Sequence, residues 1–179
     1  MKEPSLLATC WKNRVPIFVG AVQDGSIFLN VVKMKRVLGE SFKLEIDVND
    51  DVFAMSAVQH WCSKRLNKKL AIWILGGGVP KNFAQDIVVA AEVLGYEAPM
   101  HKYALQITVA DVRDGALSGS TLKEASSWGK VDTAFEQMVY SEATLALPLI
   151  AGYGYHKGAW KDRTARRWNH LLEQALQPA

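Results

Sequence analysis

Leu70-Ala71-Ile72-Trp73-Ile74-Leu75 is an unbroken apolar run that stops on Gly76-Gly77-Gly78 and resumes, after Val79-Pro80, as a helical pattern. Few arrangements accept that order. The run is too short to cross a bilayer and predicts a strand buried on both faces of a parallel sheet. Pro80 suits the first turn of a helix whose Phe83, Ile87, Ala90, Ala91 and Leu94 face inward before Gly95. Three glycines between strand and helix let a ligand approach bare backbone beside amides that favour anions, although the same glycines also serve a tight turn with no ligand.

The flanking segments repeat the plan. Ser5 to Arg14 predicts a short helix, Ile17-Phe18-Val19 a buried strand, and Gln23-Asp24-Gly25-Ser26 a turn opening the helix from Ile27 to Leu38, which carries Val31 and Met34 inward. Phe42, Leu44 and Ile46 alternate as a strand; Asn49 with Asp50 and Asp51 predicts the cap and acidic first turn of a helix bearing Phe53, Ala57, Val58, Trp61 and Cys62. Lys64, Arg65, Lys68 and Lys69 close its far end as macrodipole compensation. Further strands are expected from Tyr103 to Val109 and over Met138-Val139-Tyr140. A helix from Ala143 to Ile150, interrupted or bent near Pro148, follows the last of them. The segment from Ala159 to Leu176 is amphipathic, with Trp168, Leu171, Leu172, Ala175 and Leu176 inward and Arg163, Arg166 and Arg167 outward. Strands alternating with helices predict an α/β fold with a largely parallel sheet and helices on both faces, ligands sitting at the carboxyl ends of the strands. Asp24, Gly76 to Gly78, Ala110 to Gly119 and Glu142 are all expected at that edge.

Composition narrows the function classes. The 179 residues are 49% hydrophobic and 22% charged, enough for a sizeable core and outside the disordered range. A net charge of +3 gives no reason to invoke nucleic acid, and the arginines near the C-terminus read as a solvated helix face. Cys10 and Cys62 form no CxxC pair, and His60, His101, His156 and His170 lie far apart, so no metal site is expected. No apolar run approaches membrane-spanning length. The expectation is a reduced, cytoplasmic protein, a single unit over residues 1–179 without membrane contact.

The chemistry-bearing stretch begins at Gly115-Ala116-Leu117-Ser118-Gly119 and ends at Trp128-Gly129-Lys130-Val131. A lysine lodged beside an indole loses hydration, and desolvation brings an amine towards usable nucleophilicity. Thr121 and Glu124 also fit a capping box, on which reading Ser126 to Lys130 merely end a short helix. Both readings stand on the residues alone.

Ile74-Leu75-Gly76-Gly77-Gly78-Val79-Pro80-Lys81, the Ser127-Trp128-Gly129-Lys130 element and Tyr140-Ser141-Glu142-Ala143-Thr144-Leu145-Ala146-Leu147-Pro148-Leu149 together resemble deoxyhypusine synthase and its bacterial deoxyhypusine synthase-like relatives; Val15-Pro16-Ile17-Phe18 and Gln23-Asp24-Gly25-Ser26 resemble the same family. The resemblance implies a Rossmann-like fold, the C-terminal half of such a domain, working as a homo-oligomer, in the family a tetramer. It implies NAD as cofactor and a polyamine, spermidine in the hypusine enzymes, as donor: hydride leaves the amine, the oxidised amine fragments, and an aminobutyl piece is carried as a lysine imine to an acceptor amine and reduced. That acceptor is a small amine or a protein lysine, a lysine of a translation initiation factor in the hypusine pathway. Carried over, Lys130 is the imine-forming lysine; Glu124, Trp128, Gly115, Ser118 and Asn82 fall on substrate positions, and Asp24, Gly76, Gly77, Gly78, Ala110, Glu142 and Ala143 on NAD positions. Departures are Leu29 and Leu117 where the hypusine enzymes are acidic, and Asn82 where they have histidine. An ammonium buried against leucine lacks its counter-charge, which argues for a donor or acceptor other than spermidine bound in the hypusine manner. The other expectation is a fragment that needs a separately encoded N-terminal half or a partner subunit.

Overall fold

The computed structural model describes residues 5–64, 67, 69–117, 120–158, 160–163 and 168–176. Three parallel strands form the sheet: β1 (Ala71–Leu75), β2 (Tyr103–Thr108) and β3 (Glu136–Tyr140), in the order β1-β2-β3. The register sets Ile74 beside Gln106 and Gln106 beside Met138. The helices around it are α1 (Leu6–Asn13), α2 (Ser26–Leu38), α3 (Val48–Lys64), α4 (Val79–Val93), α5 (Leu122–Ala125), α6 (Ala143–Lys157) and α7 (Trp168–Ala175). This is the expected α/β, Rossmann-like class, and the β1-glycine-α4 unit stands where the sequence places it.

The core follows from alternation. Ile72 and Ile74 of β1 and Ala104 of β2 project to one face, where they meet Leu122 and Ala125 of α5 with Ala84 of α4 and Met138 of β3 packed against them. The opposite face of β1 is open: Trp73 and Leu75 are each 48% exposed. Burial on both faces, expected from the continuous apolar run, is therefore corrected to burial on one.

Two expected strands are also corrected. Residues 15–19 and 42–47 run outside any strand, with Ile17, Val19, Leu44 and Ile46 exposed. Alternating apolar residues satisfy a strand only when a neighbouring ladder takes up their amides, and no strand pairs with these segments among the described residues. The α3 cap moves upstream: Asp47 Oδ1 accepts the amides of Asn49 (2.8 Å) and Asp50 (3.4 Å), so Asn49 already lies inside the helix. Helix α6 runs past Pro148 to Lys157 and ends at Gly158, whose φ of 73° suits glycine. The described C-terminal helix is Trp168–Ala175, and residues 160–163 before it are not helical; Ala159, Arg166 and Arg167 lie outside the described residues, as do Arg65 and Lys68.

Much apolar surface is left uncovered. The stripe on α2 is exposed, Ile27 by 70%, and α6 is apolar on every side with no buried residue. The chain presents 12834 Å² to solvent, where a compact monomer of 19.8 kDa presents about 8600 Å². No helix among the described residues is long and apolar enough to cross a membrane.

Candidate functional site

Because the strands are parallel, the turns after β1, β2 and β3 share one edge of the sheet. Gly76 is held there twice: its N–H donates to the Ile107 carbonyl (2.8 Å) and its carbonyl accepts from Gln106 Nε2 (2.9 Å). Gly76 and Gly78 have φ of 84° and 83°, and a Cβ on either would meet nothing within 4 Å. Backbone conformation, not crowding, requires glycine, and the space above the turn stays open. Gly78 caps α4 without any side-chain hydrogen bond and Pro80 occupies the first turn, so this fifteen-residue helix presents its positive end at the turn. Gly20 lies against the same helix: a Cβ there would come within 3.2 Å of Pro80 Cα and 3.3 Å of Phe83 Cβ, which brings the segment leading to Asp24 past the start of α4. Ala110 is buried, its N–H donating to Thr108 Oγ1 (3.1 Å).

At the end of β3, Glu142 caps α6. Its Oε2 accepts from the Leu145 amide (3.2 Å) and the Thr144 hydroxyl, and Ala143 is the first helical residue. These hydrogen bonds, the hydroxyl's foremost, hold the Glu142 carboxyl below its usual range, so it is ionised at neutral pH.

Lys130 sits elsewhere. Thr121 and Glu124 form the expected capping box, Glu124 Oε2 accepting from the Thr121 amide at 2.7 Å and the Glu124 amide donating to Thr121 Oγ1 at 3.1 Å. A 3-10 turn over Ser126–Trp128 and a left-handed Gly129 (φ 70°) then deliver Lys130 to the start of an extended segment. Its carbonyl accepts both from the His101 amide (3.1 Å) and from His101 Nδ1 (3.0 Å), which must carry the proton because a carbonyl has none to give. His101 is buried, and that burial pushes its imidazole pKa down. The Lys130 amine pairs with Asp86 Oδ1 of α4 at 2.5 Å and lies 5.9 Å from the Trp128 ring centroid. All three residues line an open cleft of 780 Å³ walled by Val52 and Phe53 of α3 and Val89 and Val93 of α4. The Lys130 side chain is 17% exposed and ion-paired; it does not point into bulk water.

The expected site residues thus fall into two groups. Gly76 to Gly78, Ala110, Glu142 and Ala143 share the carboxyl edge; Trp128 and Lys130 meet in the cleft. Asp86 lies seven residues into α4 from Val79, about 10 Å along its axis, and that sets the span between the groups. Asn82 stays on the first turn of α4, its amide bonded to the Gly78 carbonyl (3.2 Å), and Gly115 opens a 3-10 turn; neither lines the cleft, nor does Glu124. Leu117 is fully buried. Ser118 lies outside the described residues.

Three residues were missed by sequence reasoning. Asp86 and His101 lie far from Lys130 in the chain, and no local signal joins them. Lys81 carried one: with Gln85 and Val88 it occupies the i, i+4, i+7 face that α4 buries. It is 2% exposed, and its amine donates to the carbonyls of Leu117 (3.0 Å) and Ser120. Burial lowers its pKa; the Glu124 charge opposes that and the Lys130 charge adds to it. The lysine stripped of water is therefore Lys81.

A parallel sheet with a glycine turn and an open helix N-terminus at its carboxyl edge defines the class of Rossmann-like α/β proteins. Within that class, the family model for deoxyhypusine synthase matches residues 1–153. The chain is 54% identical over 97% of its length to a deoxyhypusine synthase-like protein of Chlorobaculum tepidum, covering 48% of that protein. It is 51% identical over 96% of its length to a protein of the same description from Caulobacter vibrioides, covering 46% of it. A probable deoxyhypusine synthase 2 of Methanosarcina mazei is 37% identical over 91% of the chain, which covers 45% of that relative. The chain belongs to the deoxyhypusine synthase family. It spans about half the length of the curated relatives it matches.

Proposed function

We propose that this chain carries the reactive lysine and part of the nucleotide edge of an NAD-dependent transferase, which moves an aminobutyl group from a polyamine to an acceptor amine through an imine on Lys130. The observation that carries the reading is the Lys130 amine, held against Asp86 in a cleft with apolar walls. Such walls suit the methylene chain of an aliphatic amine. To bond a carbonyl or imine carbon, Lys130 gives up its proton and its amine lone pair attacks.

The residues at the carboxyl edge fit a dinucleotide. The open space over Gly76 and Gly78 and the uncapped start of α4 favour a pyrophosphate, with Gly77 between them. The ionised Glu142 carboxylate suits a ribose hydroxyl, and Asp24, Ala110 and Ala143 would border the cofactor. NAD, when bound, would supply the acceptor for the hydride that leaves the amine-bearing carbon. Trp128 would wall the substrate; Glu124, Gly115 and Asn82, which the family resemblance puts on substrate positions, do not line the cleft and would act on the substrate only from outside it. Leu29 is exposed and Leu117 buried, so neither supplies a counter-charge, which favours small polyamines as donor and acceptor over spermidine bound in the hypusine manner.

Mixing the protein with NAD and a polyamine, spermidine or 1,4-diaminobutane, tests the proposal: reduced nicotinamide, read by its fluorescence, should form with wild type and not reach steady turnover with Lys130→Ala. Turnover undiminished by that substitution refutes it.

A second reading has its own observation. The exposed apolar surface of β1, α2 and α6 supports a chain that acts only in an assembly, with copies of itself or with a separate polypeptide, in the cytoplasm, where the thiols of Cys10 and Cys62 stay reduced. Sedimentation and an activity assay of the chain alone test it: a mass well above 19.8 kDa, or an inactive monomer where the partner is a separate polypeptide, is expected, and a stable, active monomer contradicts it.

A further inference from the structure

We infer that Asp86 is the ammonium receptor of the cleft: a substrate amine takes the place Lys130 now holds against the carboxylate, and that exchange frees Lys130 to react. Among the described residues lining the cleft, Asp86 is the one anion, Lys130 the one cation and Asn49 the one further polar side chain; the rest are apolar. A cavity of that make-up takes a primary ammonium on an unbranched aliphatic chain, charge against Asp86 and methylenes against Val52, Phe53, Val89 and Val93. The Trp128 indole, already within cation-π reach of the Lys130 amine, offers the same surface to an incoming cation.

The geometry favours exchange over simple addition. Lys130 keeps 17% of its side chain exposed and Asp86 keeps 54%, so the carboxylate stands nearer the mouth and an incoming amine meets it before it meets Lys130. One carboxylate satisfies one ammonium; a second cation beside Lys130 would be repelled by it and, from further off, by Lys81. Glu124 cannot relieve that repulsion at full strength, because its Oε2 closes the capping box. A partly exposed ion pair is held weakly enough to be traded for one of the same kind. Once exchanged, Lys130 has no counter-ion, and its proton passes to water through the open cleft. While paired, the ammonium has no lone pair to offer.

The second half of this inference rests on the reading of Lys130 as the imine-forming amine; the first half does not. Calorimetric titration with 1,4-diaminobutane, using 1,4-butanediol as the uncharged control, tests the exchange. Wild type should bind the diamine and not the diol. Asp86→Asn should weaken binding roughly tenfold or more, as loss of one charged contact does, and Lys130→Met, which removes the competing ammonium, should tighten it severalfold. Asp86→Asn binding as well as wild type, Lys130→Met binding no tighter, or a wild type that does not bind the diamine overturns the inference. Borohydride trapping with 4-aminobutanal separates the two readings. Failure to label Lys130 alongside the expected titrations removes the imine and leaves the receptor; a labelled Lys130 with binding indifferent to Asp86 does the reverse.

Discussion

Lys81→Met removes a buried ammonium while keeping most of the side chain's volume. In the native fold that amine donates to the Leu117 and Ser120 carbonyls, bracketing residues 118 and 119, and the variant leaves both oxygens without it. Hydrogen bonds from a charged donor are worth about 1.5–3 kcal/mol each, and relief of the amine's desolvation returns part of the loss, so a net destabilisation of about 2 kcal/mol is expected at neutral pH. For a chain of this length that lowers Tm by about 4–8 °C. The pH dependence is the sharper signature. Burial holds the folded amine's pKa below the ordinary 10.5, so between those values the unfolded chain binds more protons and wild type gains stability as pH rises. A neutral amine still donates its hydrogens, and the methionine has nothing to titrate. The stability gap between the two proteins should therefore widen between the folded amine's lowered pKa and 10.5, read by urea unfolding at a series of pH values. A gap that stays flat or narrows refutes the reasoning.

Three shorter expectations accompany it. Gly78→Ala forces a side chain onto φ 83°, ψ −151°, a region open essentially to glycine, and should cost about 1–3 kcal/mol together with nucleotide affinity; thermal melts and NAD titration check both. Burial keeps the His101 pKa below 6.5, so the unfolded chain binds more protons between the folded value and 6.5; stability is full above 6.5 and is lost as pH falls through that window. His101→Asn should flatten that acid loss in urea midpoints, and equal losses in both proteins would contradict it. Trp73→Glu with Leu75→Lys places charge on the open face of β1 and should lower the sedimenting mass without loss of helical circular dichroism.

What was legible in the sequence was local. The apolar run at Ile72 and Ile74, the glycines and Pro80 report on one another within a dozen residues, and the strand, turn and helix follow from them. The capping box of Thr121 and Glu124 is legible for the same reason. Ile17 to Val19 and Phe42 to Ile46 have the residue types of strands, but a strand exists only in a ladder, and residue type does not say whether a neighbour is at hand. Pro148 was expected to interrupt or bend its helix; it does not interrupt it, since α6 continues to Lys157 without the hydrogen bond that position's amide would have made. In the site, the family motif marks Lys130 and Trp128, whereas Asp86 and His101 come to Lys130 only through the packing of α4 and the approach to β2, which sequence distance conceals.

The most direct measurement is peptide mapping after borohydride is added to the protein, its assembly partner if it has one, NAD and a polyamine. A reduced four-carbon amine adduct on Lys130, dependent on NAD and absent from Lys130→Ala, is the expected result. An adduct on another residue, or one that persists in Lys130→Ala, would contradict the central claim.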